Sequence, residues 1–271
     1  MSNVQERIYK YNEVCAFRKT KDKYGGLSNM ASGFPLNING IQIYSSEALY
    51  QACRFPHLPE IQAKILREKS PMTAKMVGKP HRNETRSDWE EVKVKIMRWC
   101  LRIKLAQHFI KFGQLLESTQ DRPIVEDSSK DKFWGAIKDK NDTNNLVGVN
   151  ALGRLLMELR LFYNENRYSK DIFVIEPLPI LNFNLLDNLI KCVDTRSQFL
   201  TEILVLIKYD EIKKNDESKL KLYDSLQDSS IGKVNEGESI KIKSKKGRGH
   251  SKRNENEKPA HKYPEQGIIP F

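Results

Sequence analysis

A long amphipathic pattern over residues 87–105 constrains the fold of this 271-residue chain more than any other feature. Ser87 and Asp88 can cap a helix, and Glu90 and Glu91 follow in the first turn, where acidic side chains interact favourably with the helix dipole. Apolar residues then recur at helical spacing, namely Trp89, Val92, Ile96, Trp99, Cys100, Ile103 and Leu105. The pattern predicts one long helix at the centre of a domain.

A β-hairpin is predicted earlier in the chain. Residues 35–44 alternate apolar and polar side chains on both sides of Asn39-Gly40. This dipeptide is typical of a two-residue turn in which both residues have positive φ. We therefore expect two short antiparallel strands joined at this turn.

Three further helices are indicated by local signals. A serine at 45 or 46 is expected to cap a helix that runs to about Phe55, and Ser70-Pro71 to open a short one, because proline is tolerated at the first helical position. A helix is also predicted from about Asn150 to Tyr163. Residues 1–163 are thus predicted to form an α+β domain that is mainly α-helical, with a small antiparallel hairpin.

The composition excludes several classes of protein. Hydrophobic residues make up 39 % of the chain and charged residues 30 %, which suits a soluble globular protein. The longest aliphatic run, 203–207, is far shorter than the ~20 residues that cross a bilayer, and the N-terminus lacks the apolar stretch of a signal peptide. The four cysteines are far apart and have no histidines at metal spacing. We therefore expect a cytoplasmic protein with no metal, no cofactor and no membrane partner.

The formal charge of +11 is concentrated in the first part of the chain. Residues 1–163 hold 27 Lys/Arg against 18 Asp/Glu, or +9, whereas residues 164–271 hold 19 against 17, or +2. A basic domain favours a phosphate-bearing partner, although excess lysine is also common on solvated surfaces. Charge alone leaves both interpretations open.

The sequence changes character after Tyr163. Residues 164–211 are predicted to form an accessory lobe of mixed structure, with a strand-like segment at Ile172 to Ile175. Helices are predicted near Leu181–Cys192 and Arg196–Ile207.

A basic tail is predicted over residues 212–271. Few apolar side chains occur there, so burial cannot offset the entropy of ordering the chain, and we expect disorder. Residues 241–253 contain seven Lys/Arg and no acid. This segment is either an inert terminus or an arm that binds DNA or RNA.

The candidate chemistry rests on carboxylates. No phosphate-binding loop, dinucleotide fingerprint or H-E-x-x-H motif is present, which disfavours kinases, dehydrogenases and zinc hydrolases. Glu47 falls in a first helical turn, where it has an ordinary explanation in the helix dipole. If it is catalytic, the same dipole should keep it ionised, as a base, nucleophile or cation stabiliser. A second acidic and aromatic cluster, from Glu126 through Asp131 to Trp134-Gly135, is typical of a sugar or nucleoside site, although the last two are also common core and turn residues.

Several spaced motifs carry a resemblance to a known family. They are Phe17 with Gly26-Leu27-Ser28-Asn29, Ser46-Glu47-Ala48-Leu49-Tyr50-Gln51-Ala52-Cys53-Arg54-Phe55, Ser70-Pro71-Met72, Arg86-x-x-Trp89, Leu101-Arg102-x-Lys104, Asp131-x-x-Trp134-Gly135 and Gly148-x-Asn150-x-Leu152-Gly153. Over residues 17–163 their order and spacing resemble the NADAR (YbiA-like) family. Arg54 departs from the family's usual lysine, and Gly135-Ala136-Ile137 lacks its common Gly-x-Gly.

The resemblance implies an N-glycoside hydrolase. Family members act on riboflavin-pathway intermediates or remove ADP-ribose from modified guanine bases in nucleic acid. The leading expectation is removal of ADP-ribose from nucleic acid, as by the neutralising partner of an ADP-ribosylating toxin. The alternatives are cleavage of a phosphoribosylamino-pyrimidine and a non-catalytic module that binds ADP-ribose or nucleic acid.

The resemblance also implies the site residues. Glu47 matches the catalytic glutamate and Asp131 the acid ahead of the Trp-Gly pair. Positions expected to line the pocket are Asn29, Arg54, Phe55, Trp134, Gly135 and Asn150. Phe55 and Trp134 could stack on a base, while Arg86 and Lys104 are available, among other basic residues, for phosphates.

Overall fold

The computed structural model describes residues 5–201 together with 203 and 204. The helices are α1 (Ser46–Ala52), α2 (Pro59–Leu66), α3 (Pro71–Gly78), α4 (Trp89–Gln107), α5 (Phe109–Glu117) and α6 (Ala151–Asn166). The strands are β1 (Arg7–Lys10), β2 (Cys15–Phe17), β3 (Leu36–Ile38), β4 (Ile41–Ile43), β5 (Ile124–Glu126), β6 (Ile137–Lys138), β7 (Asn145–Gly148), β8 (Val174–Ile175), β9 (Asn184–Leu185), β10 (Asn188–Leu189) and β11 (Val193–Asp194). Short 3-10 helices cover Tyr11–Glu13, Gly25–Leu27, Arg82–Glu84 and Lys170–Phe173.

The short strands pair into several small sheets. Strands β1, β7 and β6 form an antiparallel sheet in the order β1-β7-β6, and β2 pairs in parallel with β5. The antiparallel pairs β3–β4, β8–β11 and β9–β10 complete the pattern. The expected α+β fold with a mainly helical framework is confirmed. Within the described residues, no helix is both long enough and apolar enough to cross a membrane.

Helix α4 is the centre of the structure, as its pattern predicts. It contacts α1, α5, α6 and β3, so side chains on more than one of its faces are buried. Val94, Met97 and Leu101 are buried together with the apolar stripe recognised in the sequence. Because α1 packs against α4, the long helix fixes the position of α1.

The local signals also position their elements as expected. The Ser45 hydroxyl accepts a hydrogen bond from the Ala48 N–H, and Ser70 caps α3 through the Thr73 N–H. Asn39 and Gly40 have φ values of 52° and 83°, so the turn between β3 and β4 is left-handed at both positions. These three predictions are confirmed.

The prediction of a helix near Leu181–Cys192 is wrong. The chain there forms the β9–β10 hairpin, with Leu186 and Asp187 at positive φ in its turn. The Gln62 amide donates to the Asn184 carbonyl and accepts from the Leu186 N–H. These hydrogen bonds come from α2, far away in sequence, and apolar spacing carries no sign of them.

Residues 164–201 pack on the same core. Ile172, Phe173 and Ile175 belong to the main cluster of buried apolar residues, and Trp99 of α4 donates its indole N–H to the Glu176 carbonyl at 3.0 Å. Ile172–Phe173, predicted as strand, lie in a 3-10 helix, and β8 follows. Residues 196–201 are helical, in agreement with the predicted helix there. The predicted tail and its basic stretch at 241–253 lie outside the described residues.

The four cysteines are free thiols. Cys15, Cys53 and Cys100 are buried, and Cys192 is exposed. Burial raises the pKa of Cys53 to about 12 and that of Cys100 well above its usual value. The buried thiols therefore act as small apolar packing groups.

Candidate active site

A cavity of about 410 Å³ opens between α1, the start of α4 and the loop that follows β5. Its size falls within the range of small-molecule sites. Carboxyl, aromatic and basic side chains line it, among them Glu47, Glu126, Asp131, Tyr50, Trp89, Phe133, Trp134, Arg54, Lys75, Arg82 and Lys93.

Glu47 is buried and held from both sides. The Gln51 side-chain amide donates to Glu47 Oε1 at 2.9 Å, and the Asn29 side-chain amide donates to Oε2. The Asn29 carbonyl also accepts the Glu47 backbone N–H at 3.1 Å. Two amide donors, one on each oxygen, fix the orientation of this carboxyl group.

Burial raises the pKa of Glu47 above its usual 4.5, while Lys75, the hydrogen bond from Gln51 and Arg54 act in the opposite direction. Burial thus opposes the charged form that the sequence analysis expects the helix dipole to favour. The neighbouring cations and amides favour that charged form.

Asp131 and Glu126 face the same cavity from the loop side. Asp131 is exposed, and its Oδ1 accepts the Phe133 and Trp134 backbone N–H groups, each at 2.9 Å. Asp131 thus shapes the turn that carries Trp134. Glu126 ends β5, and burial, assisted by Asp131 and Glu47, raises its pKa to about 7, with Lys75 opposing.

Aromatic rings form one wall of the cavity. Tyr50 packs against Trp89 and Trp134, with ring centroids 5.1 and 5.7 Å apart. Phe133 stands edge-on to Trp134 at 5.1 Å. Such a wall offers flat apolar faces to a planar base.

Basic side chains stand around the cavity. Arg54 lies with its guanidinium carbon 4.9 Å from the Trp89 ring and donates to Thr85 at 3.2 Å. Lys93 lies 4.3 Å from the Phe133 ring centroid. Lys75 and Arg82 are exposed and also line the cavity. This cationic rim can neutralise phosphate groups.

Five of the ten predicted site residues line this cavity: Asn29, Glu47, Arg54, Asp131 and Trp134. Phe55 and Arg86 do not. Phe55 is fully buried and packs against α3, next to Gly78. Arg86 is buried in an ion pair with Asp88 at 2.6 Å. Neither side chain can reach a ligand in the cavity from these positions.

Lys104 is not available to phosphate in this structure. Its ammonium group is fully buried and donates to the Gly26 carbonyl at 2.7 Å and to the Ser28 carbonyl at 3.0 Å. The Phe34 and Phe112 rings lie 4.4 and 4.3 Å from the nitrogen. Lys104 therefore anchors the loop that leads into Asn29, and burial lowers its pKa well below the usual value.

Gly135 and Asn150 support the site from behind. A Cβ at Gly135 would lie 2.5 Å from the Glu126 carbonyl oxygen, so this close approach requires glycine. Asn150 accepts the Glu126 N–H at 3.1 Å and donates to the Ile124 carbonyl at 2.8 Å. Both residues fix β5 and thereby Glu126.

Sequence reasoning missed other residues of the cavity. Gln51 follows Glu47 by four positions, which places the two on one helix face, a signal that could have identified it. Lys75 of α3 carries no comparable signal. No cluster of three metal-ligating side chains is found in the described part of the chain.

The comparisons with known proteins identify the family. The model of the NADAR domain matches residues 16–162, more than half of the chain. The chain belongs to the NADAR domain family. All the cavity residues named above lie within the NADAR domain.

Relatives of the NADAR domain carry two kinds of name. The N-glycosidase YbiA of Shigella boydii is 38% identical over 147 residues, covering 54% of this chain and 86% of the relative. A riboflavin biosynthesis protein of Vibrio vulnificus is 33% identical over 162 residues, covering 59% of this chain and 39% of the relative. The solution structure of Escherichia coli YbiA has 32% identity and a TM-score of 0.50, covering 59% of this chain and 90% of that one.

Proposed function

We propose that this chain is an N-glycosidase that removes ADP-ribose from modified guanine bases in nucleic acid. The observation that carries the proposal is Glu47, a buried carboxyl held by two amide donors in a cavity with an aromatic wall and a cationic rim. The reaction class agrees with the names of the curated relatives, several of which are N-glycosidases.

The cavity suits the cleavage of a ribosyl C1′–N bond. As this bond breaks, positive charge builds on the sugar, and a carboxylate near C1′ stabilises the oxocarbenium-like transition state. Glu47 can fill this role and can also orient or deprotonate a water molecule. Its two amide partners restrict its rotation, so the charge is in place before the reaction begins.

The walls of the cavity suit the two ends of such a substrate. Trp134, whose ring is only partly buried, can stack on a planar base, while Arg54 and Lys75 can neutralise phosphates attached to the ribose. A phosphorylated ribosyl N-glycoside therefore matches the cavity better than a neutral sugar does.

The charge of the chain supports a nucleic-acid substrate over a free metabolite. The net charge is +11, of which +9 falls in residues 1–163. Each phosphate that a basic side chain neutralises adds salt-dependent affinity.

Phosphoribosylamino-pyrimidines are the second candidate substrates. The names of the Vibrio vulnificus relative and of a maize relative, both riboflavin biosynthesis proteins, favour them. Such molecules share the phosphorylated ribose and the planar base, so the same catalytic groups would serve.

One assay separates these substrates. The purified protein is incubated with ADP-ribosylated DNA and RNA and, separately, with phosphoribosylamino-pyrimidines, and release of the sugar phosphate is followed. Release of ADP-ribose supports the proposal, and release from the pyrimidines alone favours the second candidate. ADP-ribose binding without turnover on any substrate would contradict both and indicate a binding module.

A further inference from the structure

We propose that Glu126 is the catalytic acid of this cavity and gives the departing base its proton. The inference rests on the proposed N-glycosidase function and adds a residue to it. Resemblance assigns catalysis to Glu47 and Asp131, whereas the structure places two further carboxyl groups in the same cavity, Glu126 and Glu90. Glu90 is exposed and paired with Lys93, which leaves Glu126 as the buried one of these two.

The backbone holds Glu126 at a fixed point of the cavity wall. Its N–H donates to the Asn150 side chain at 3.1 Å, and its carbonyl accepts the Ala136 N–H at 2.9 Å. Strand β5, which it ends, pairs with β2 through Phe17. A residue fixed in this way by a strand, a side chain and a loop can deliver a proton to one place.

Glu126 differs from Glu47 and Asp131 in the hydrogen bonding of its carboxyl group. No side-chain hydrogen bond to its carboxyl oxygens is found among the described residues, whereas Glu47 accepts two amide donors and Asp131 accepts two backbone N–H groups. Hydrogen bonds from N–H donors favour the charged form of a carboxyl group. Glu47 is therefore suited to carry charge, and Glu126 is suited to carry a proton.

The neighbouring carboxyl groups also favour the protonated form of Glu126. Asp131 and Glu47 face it as carboxyl groups, and Lys75 is the opposing cation. Burial and these two acids raise the pKa of Glu126 to about 7, near the value at which a general acid works best at neutral pH.

The step balances without any other reagent than water. The C1′–N bond breaks, its electron pair passes to the base nitrogen, and that nitrogen takes the proton of Glu126. The oxygen of a water molecule bonds to C1′, and Glu47 accepts the proton that the water loses. Exchange with solvent after product release restores the proton to Glu126 and removes the proton that Glu47 accepted.

The test compares Glu126→Gln with the wild type on the substrate that the wild type turns over. At pH 7 we expect kcat to fall by roughly 100-fold or more, while the dissociation constant for ADP-ribose stays within about threefold of wild type. The wild-type rate should decline as pH rises above about 7, because Glu126 loses its proton, and the variant should lack this decline. Glu117→Gln is the matched control, because Glu117 is an exposed glutamate paired with Arg167 outside the cavity.

Two outcomes would overturn the inference: a Glu126→Gln variant with near wild-type kcat, or one that keeps the wild-type alkaline decline. If circular dichroism shows that this variant does not fold, Glu126→Asp decides, since it keeps a proton on a shorter side chain. The midpoint of its alkaline decline should shift, and an unchanged midpoint would count against the proposal. A wild type that cleaves none of the substrates refutes the proposed function itself, which is a different result.

Discussion

At the scale of single residues, the burial of Glu47 makes the stability of the protein depend on pH. Its carboxyl is buried and its pKa is raised. A folded state that holds a proton more tightly than the unfolded state loses stability as pH rises from 4.5 through the folded pKa. Burial of the Glu47 carboxyl group therefore lowers the free energy of unfolding at neutral pH relative to its value below pH 4.5.

Glu47→Gln tests both the proposed catalytic role of this residue and the effect of its burial on stability. The variant keeps size but loses the charge, and the side-chain amide of Asn29 or Gln51 must turn to pair with its new NH2 group. Turnover should fall by at least ~100-fold while ADP-ribose still binds. Denaturant unfolding at several pH values should show the variant gaining stability relative to wild type as pH rises above 4.5. Near-normal turnover would remove Glu47 from the mechanism and leave Glu126 or Asp131 as the principal carboxylate.

For Lys104, the predicted change of stability with pH has the opposite sign to that for Glu47. Its folded pKa lies well below the usual 10.5, so the unfolded state binds more protons between these two values. Stability of the wild type relative to Lys104→Met should therefore decrease as pH is lowered from 10.5 toward the folded pKa. Parallel denaturant titrations of the two proteins measure this difference, and a difference that does not change with pH would contradict a desolvated ammonium group.

Residue types alone could not separate the site from its support. Glu47, Arg54 and Trp134 were predicted and do line the cavity. Arg86 and Lys104 have the residue types of phosphate ligands. Inside the protein, however, Arg86 forms an ion pair with Asp88, and Lys104 donates hydrogen bonds to two backbone carbonyls. Burial depends on packing between distant segments, which a motif does not describe.

At the scale of elements, the sequence was sufficient to predict those helices and turns that depend on residues close together in the chain. The hairpin at Asn39-Gly40, the cap at Ser45 and helix α4 follow from such signals. The β9–β10 hairpin does not, because Gln62 of α2 adds two hydrogen bonds to the pairing of its two strands. The position of Gln62 beside this segment depends on packing between parts of the chain that are distant in sequence.

Gly135→Ala tests the close approach of two elements. The added Cβ would lie 2.5 Å from the Glu126 carbonyl oxygen, so the strand end or the loop must move. We expect a loss of about 1–3 kcal/mol in the free energy of unfolding, together with reduced turnover because Glu126 is displaced.

Gly78→Ala is the comparison for this experiment. Its added Cβ would lie 3.1 Å from the Phe55 ring, a side chain that can adjust, and alanine favours the helix by up to ~1 kcal/mol. Its stability should therefore change by less than about 1 kcal/mol. Equal effects of the two substitutions would show that the approach at Gly135 is not special.

At the scale of the whole molecule, the positive charge predicts how binding responds to salt. Deleting residues 231–271 removes the basic stretch at 241–253. If that stretch binds the polyanion, affinity for ADP-ribosylated DNA or RNA should fall and its salt dependence should become flatter, since fewer counterions are released.

A small ADP-ribosyl nucleoside serves as the control substrate for this deletion. Its hydrolysis should not change, because contacts to phosphates beyond the site are absent. Equal loss on both substrates would show that the deleted residues help to build the cavity. No loss on either would leave the charge of residues 1–163 to account for binding to nucleic acid.

The rate at which the buried thiols react with an alkylating reagent measures how often the protein opens. Cys53 caps the end of α1 and Cys100 lies in α4, the two helices that frame the cavity, and neither is reachable by an alkylating reagent while the structure is closed. Exposed Cys192 can be blocked first with a brief treatment. The slow labelling that follows involves Cys15 of β2 as well as Cys53 and Cys100, and it reports how often these buried elements open. Every variant described above can therefore be ranked by its opening rate without knowledge of its substrate.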